Sequence, residues 1–125
     1  SIDGSIGRIF EIYRGKIDLT FLAQSMRQLS QDPMFDPNFD SIVDLRDCQL
    51  QLTSRDLTDL MRVHFEIFGL SHGKTAFLVN QPKVNAIASL FKKNMYGDRR
   101  MEVFIHQADA ENWLALSRKI YFCVV

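Results

Sequence analysis

Along Gly7-Arg-Ile-Phe-Glu-Ile-Tyr13, Ile9, Glu11 and Tyr13 fall in one phase and Phe10 and Ile12 in the other. A period of two predicts a strand with two differently covered faces, and Gly15 is expected to break it. From Asp18 the spacing changes. Leu19, Leu22, Ala23, Met26 and Leu29 recur three and four apart, which places them on one face of a helix that ends near Ser30, ahead of Asp32-Pro33. Asp18, whose carboxylate can accept from the first free N–H groups, is its expected N-cap. A turn-rich connection through Pro37-Asn38 follows, with Phe35 and Phe39 as anchors to the core.

The same change of period recurs along the chain. Ser41-Ile-Val-Asp-Leu45 predicts a second strand. Thr53-Ser-Arg-Asp56 then has the form of a capping box, with Thr53 as N-cap and Asp56 three residues on. Leu57, Leu60, Met61, Phe65 and Phe68 follow at helical intervals, and Gly69 and Gly73 lie past the end, where a left-handed cap or turn is needed. Thr75-Ala-Phe-Leu-Val79 is the most continuous apolar run and predicts a central strand buried on both faces. Pro82 suits the first turn of the next helix, whose inner face is Val84, Ile87, Ala88, Phe91 and Met95, with Gly97 closing it. Met101-Glu-Val-Phe-Ile105 predicts a fourth strand. Asp109 is the expected cap of a last helix with Ala110, Trp113, Leu114 and Ser117 inside.

A β-α unit repeated in this rhythm predicts an α/β fold with a parallel or mixed sheet, helices packed on it and right-handed crossovers. At 125 residues the chain is one domain, 1–125, large enough to bury a core without disulfides or metal. The end, residues 117–125, reads as a tail of unusual composition: Ile120-Tyr-Phe-Cys-Val-Val125 is mostly apolar. It extends the last helix, pairs as an edge strand or docks on a partner; packing is expected over exposure, because an exposed apolar end invites aggregation.

Composition narrows the classes of function. The chain is 46% hydrophobic and 24% charged, the balance of a globular domain. Fifteen basic and fifteen acidic residues cancel, so the basic excess of a nucleic-acid or anionic-membrane surface is missing, and homo-oligomers are little opposed by charge. No apolar run reaches the ~20 residues of a membrane span. The start, Ser-Ile-Asp-Gly, has none of the regions of a signal peptide. Cys48 and Cys123 stand 75 positions apart, which excludes a short-spaced zinc or redox pair and suits buried thiols in a reducing cytoplasm. The expected location is cytoplasmic.

Standard catalytic and phosphate-loop motifs are missing, and His64, His72 and His106 lack metal-ligand spacing, so neither cofactor nor metal is expected. Three places carry candidate chemistry. Asp44, Arg46 and Asp47 are expected in a binding loop at a strand end, where open α/β sheets place ligand-binding residues; the alternative is a loop held by local hydrogen bonds. Lys92, Lys93, Arg99 and Arg100 flank Tyr96 and form a candidate anion site, although lysines at a helix C-terminus are also explained by the helix dipole. Thr53 and Ser54 open a helix, where an added phosphate would meet free N–H groups.

Several segments together carry a resemblance. These are Asp32-Pro-Met-Phe-Asp-Pro-Asn-Phe-Asp-Ser-Ile-Val-Asp-Leu-Arg-Asp47, Thr53-Ser-Arg-Asp-Leu57, Lys74-Thr-Ala-Phe-Leu-Val79, Glu102-Val-Phe104 and Ala110-Glu-Asn-Trp-Leu114. In order and spacing, over roughly residues 5 to 116, they resemble the SpoIIAA-like branch of STAS domains, whose fold is that of the anti-sigma factor antagonists. The resemblance implies a four- to five-stranded mixed, mainly parallel sheet with about four helices packed on it, and no catalytic activity. In the antagonists a serine at the start of the helix after the Asp-Leu strand is phosphorylated by a partner kinase, a role that falls here on Ser54 with Thr53 beside it. Their pattern is Asp-Ser-Ser-Gly-Leu; here Leu52 stands for the Asp and Arg55 for the Gly. Related lipid-carrying domains share the fold's outline.

The expected function is therefore a non-catalytic regulatory module with a protein partner, switched by phosphorylation at Ser54. The alternative is a domain that binds an apolar small molecule or lipid between helix and sheet, for which ten Phe and five Met residues offer a lining.

Overall fold

A computed structural model describes the backbone of residues 1–95 and 99–124, with side chains described as far as Ala115. The elements in chain order are β1 (Ile2–Asp3), β2 (Arg8–Asp18), α1 (Leu19–Ser30), β3 (Asp40–Gln51), α2 (Ser54–Phe68), β4 (Lys74–Leu78), α3 (Pro82–Asn94), β5 (Arg100–Phe104) and α4 (Gln107–Val124). Strands β2 to β5 lie side by side in chain order and are parallel, and β1 joins the outer edge of β2 antiparallel. The sheet is thus mixed, five-stranded and mainly parallel, with four helices packed on it.

Right-handed crossovers between neighbouring strands, always stepping the same way, put every crossover helix on one face. Helices α1, α2 and α3 accordingly share one large core with Ile9, Tyr13, Phe77 and Met101. Helix α4 covers the other face with a smaller cluster of Ile42, Ala76, Leu78, Ala110 and Leu114, flanked by Phe10, Phe104 and Trp113. Strand β4 is buried along its whole length, as its apolar run predicts.

Local signals fix the helix starts. Asp18 accepts from Phe21 N at 2.9 Å. Thr53 and Asp56 form both halves of the capping box, at 3.1 Å and 3.0 Å. Pro82 opens α3, and Gly69 ends α2 at φ +52°, a backbone that residues with a β-carbon rarely adopt. Cys48 is a buried thiol, and Cys123 lies beyond the described side chains.

Several expectations are corrected. Gly15 does not end its strand: at φ +79° it bends β2, which runs on to Asp18 beside β3. The register slips between Ile12 and Arg14, so that Tyr13 faces two residues of β3, a bulge that turns the two strands. Strand β3 likewise passes Asp44 and reaches Gln51; from Leu45 onward it pairs only with β2, as a two-stranded ribbon beyond the sheet. Asp109 sits within the first turn of α4, which starts at Gln107. The face of α2 is also rotated from the expected one. Val63 and His64 are buried, while Phe65 is 44% exposed. The backbone of α4 continues as helix through Val124.

Candidate functional site

The period-two phase that puts Ile9 and Tyr13 in the core also turns Glu11 to that side of the sheet. Together with Ser41, Val43 and Leu45 of β3 and Thr75 and Phe77 of β4, it floors a cavity of about 80 Å³ under the three crossover helices. The walls are Leu22 and Met26 from α1, Leu57, Leu60 and His64 from α2, and Ile87, Ala88 and Phe91 from α3. This lining is almost wholly apolar, with a few polar groups gathered at one end.

Those polar groups have unusual electrostatics. The Tyr13 hydroxyl donates to Glu11 Oε1 at 2.7 Å. Burial nevertheless pushes the Glu11 carboxyl above its ordinary pKa, because taking a carboxylate out of water disfavours its charge more than one hydrogen bond restores. Burial raises the Tyr13 phenol as well, and the neighbouring Glu11 charge adds to that. His64 stacks on Phe68, with ring centroids 4.6 Å apart, and meets Phe91 edge-on at 5.3 Å. It is only 7% exposed, and its Nδ1 has no hydrogen-bond partner among the described residues. Burial first, and then the Arg99 charge, lower its pKa to about 3, so the imidazole is neutral at ordinary pH.

Arg99 lies behind this end of the cavity, hydrogen-bonded to the lining residues Thr75 and Ser41. Its Nε donates to Thr75 Oγ1 at 2.8 Å, its Nη1 to the Pro37 carbonyl at 2.8 Å, and its Nη2 to the Phe39 carbonyl and Ser41 Oγ, both at 2.9 Å. The guanidinium also lies 4.3 Å from the Phe68 ring centre. Desolvation lowers its pKa to about 10, with Asp40 and Glu11 opposing that shift, so it stays charged. Gly73 is required for this approach. A β-carbon there would collide with the carbonyl oxygens of Phe39 and Asn38 and with Arg99 Nη1.

The residues expected to carry chemistry lie elsewhere. Asp44 takes Arg46 in a two-pronged ion pair, at 3.0 Å and 2.8 Å, which holds its carboxyl below the usual range. The pair lies inside β3 rather than in a loop at a strand end. A sheet whose strand order never reverses also has no switch-point crevice there. Of the expected anion site, Arg99 turns inward, Lys93 and Arg100 are exposed, Lys92 pairs with Glu102 at 2.9 Å, and Tyr96 lies outside the described residues. Thr53 is held in its capping box, and Ser54 is exposed at the first position of α2.

Glu11 and His64 lie outside the sites expected from the sequence, while Arg99 was expected in an anion site. Each shares the phase of core neighbours: Glu11 with Ile9 and Tyr13, His64 with Leu57, Leu60 and Phe68, and Arg99 with Met101 and Val103. A polar residue in a buried phase is the signal that marks them.

Among the described residues no cluster of three or more His, Cys, Asp or Glu could hold a metal ion, and no helix is long and apolar enough to cross a membrane.

A sheet stepping one way, with three helices on one face and a fourth on the other, defines a SpoIIAA-like fold. Among solved structures the chain is similar to an uncharacterised protein of the DUF3478 family with a SpoIIAA-like fold from Shewanella loihica PV-4. The two are 18% identical with a TM-score of 0.56, over 82% of this chain and 80% of that one. No protein-family model and no curated protein matches the chain.

Proposed function

We propose that this STAS-like module binds a small, mostly apolar molecule in the cavity between the sheet and helices α1 to α3. The observation that carries this reading is the cavity itself, lined by long apolar side chains and by His64, whose buried Nδ1 has no hydrogen-bond partner among the described residues. Interiors normally close such spaces and satisfy such atoms. Engineered cavities near 150 Å³ hold a benzene, so about 80 Å³ fits a smaller group, or one ring once side chains such as Met26 move aside.

The test is methyl-resolved NMR of the whole chain, titrated with small hydrocarbons and alcohols, beside native mass spectrometry of protein purified without detergent. Saturable shifts confined to Leu22, Met26 and Leu60 are expected, and Ala88→Leu, which fills the cavity, should abolish them. Shifts that never saturate, or that survive Ala88→Leu, would sink the reading.

A second reading rests on Ser54. Its exposed hydroxyl stands at the N-terminus of α2 while Thr53 caps the helix, so an added phosphate would lie near free N–H groups without displacing the cap. Kinase-dependent phosphorylation would make the module a switch for a protein partner. Phosphopeptide mapping of protein from its own cells tests this; Ser54 unmodified in every growth phase would end it.

A further inference from the structure

Resting on the cavity reading above, we infer that the cavity's occupant is a neutral, ring-sized molecule carrying one hydroxyl group, a phenol or small aromatic alcohol, held at His64. Three observations on separate elements converge on this chemistry.

First, His64 is more than nine-tenths buried and lines the cavity, with Nδ1 unpartnered among the described residues. A buried nitrogen left in that state costs about 1–3 kcal/mol, and a ligand group that meets it recovers part of that cost on binding. A neutral imidazole has one nitrogen that donates and one that accepts. A hydroxyl does both, so it suits Nδ1 in either tautomer.

Second, the charges at this end exclude an ion. An anion would need the guanidinium of Arg99, but Thr75, Pro37, Phe39, Ser41 and Ser71 already take its N–H groups. An anion would also lie near Glu11, whose own ionised form is already disfavoured by burial. A cation would have to leave water for an almost wholly apolar lining, with the Arg99 charge behind Thr75 and Ser41. Neutral ligands meet neither obstacle, and Glu11, which also lines the cavity, offers a second polar contact.

Third, the rings around His64 favour a flat partner. Phe91 makes T-shaped contacts with both His64 and Phe77, at 5.3 Å and 6.1 Å between centroids. Aromatic groups prefer such offset and edge-to-face neighbours.

The experiment compares phenol, benzene and benzoate by methyl NMR titration of the wild-type chain, following Leu22, Met26 and Leu60. An apolar cavity without a polar anchor prefers benzene, because the hydroxyl of phenol must give up its water. Phenol is expected to bind about 2- to 10-fold more tightly than benzene, the gain of one net hydrogen bond, and benzoate should leave the cavity resonances unmoved. In His64→Phe, which keeps a stacking ring and removes the nitrogen, the preference should fall to parity or reverse. Benzene binding as tightly as phenol to the wild type overturns this inference and leaves the cavity reading standing. So does tight binding of benzoate. If none of the three moves those resonances, both fail. The wild-type ratio needs no variant, so a poorly folding His64→Phe does not shield the inference.

Discussion

The two faces of the sheet are solved in different ways. On the α4 face, Ile42, Ala76, Leu78, Ala110 and Leu114 are at most 3% exposed and no ionisable group is among them. Two alanines let helix and strand approach closely, and the fit leaves little to adjust. The face under α1 to α3 uses long side chains, Leu, Met and Phe, and still leaves a cavity of about 80 Å³. It also buries His64 and Arg99 and half-buries Glu11. Close packing and polar burial both bear on stability. The α4 face buries charged groups too, Arg8 against Glu111 and Lys74 over Trp113, so what sets the opposite face apart is its cavity. The α4 face packs without such a cavity among the described residues, and the opposite face is the one the proposed ligand would use.

The largest expected effect comes from Arg99, which ties the start of β5 to the 37–41 segment and to β4. Arg99→Leu would leave the Pro37 and Phe39 carbonyls and the Ser41 and Thr75 hydroxyls short of their donor. We expect a loss of about 3–5 kcal/mol in urea unfolding. Arg99→Lys should recover only part of it, because an ammonium cannot reproduce the planar fork. A loss under 1 kcal/mol for the leucine variant would mean that the polar end of the cavity is not built around this residue.

Next in size is a direct contrast of the faces. Leu114→Ala removes a side chain from a cluster with no slack, and about 3–5 kcal/mol should be lost. Leu60→Ala borders a space that already exists, so fewer contacts vanish and about 2 kcal/mol is expected. The same change enlarges the cavity and should admit larger rings in the NMR titration. Equal losses at the two positions would erase the distinction between a close-packed and an adaptable face.

How much of this was legible in the sequence depends on which level is asked. Element types and helix starts follow from local chemistry: Asp18, Thr53 with Asp56, and Pro82 each act within a few residues. The resemblance to SpoIIAA-like domains anticipated the layered architecture. Strand ends were harder. Whether β2 and β3 continue past Gly15 and Asp44 depends on their pairing with each other, a long-range contact that neither run declares alone. The buried polar residues were hard to read for a third reason. Arg99 and Arg100 are identical in composition, yet strand phase turns the first inward with Met101 and leaves the second exposed. Proximity in sequence grouped Arg99 with exposed Arg100 and Lys93 and passed over Glu11 and His64, which are isolated polar residues in apolar phases.

The smallest effect is the most diagnostic, because it reads the buried imidazole directly. His64 has a folded pKa near 3 against an ordinary value of 6.5. As pH falls below about 6.5 the unfolded chain takes up a proton that the folded chain refuses, so acid favours unfolding. The contribution is full above pH 6.5 and is lost towards pH 3, at about 1.4 kcal/mol per pH unit. Between pH 7 and pH 4.5 this amounts to about 2–3 kcal/mol. Glu11 acts with the opposite sign. Its raised pKa contributes stability in acid that is lost as pH rises through its folded value, so the wild-type curve mixes the two. Subtracting the curve of His64→Phe, which cannot titrate, isolates the imidazole. Urea unfolding at both pH values should show the wild type losing about 2 kcal/mol more than the variant. A parallel acid response in the two proteins would place His64 in contact with water and remove the ground for treating its Nδ1 as a buried site awaiting a partner.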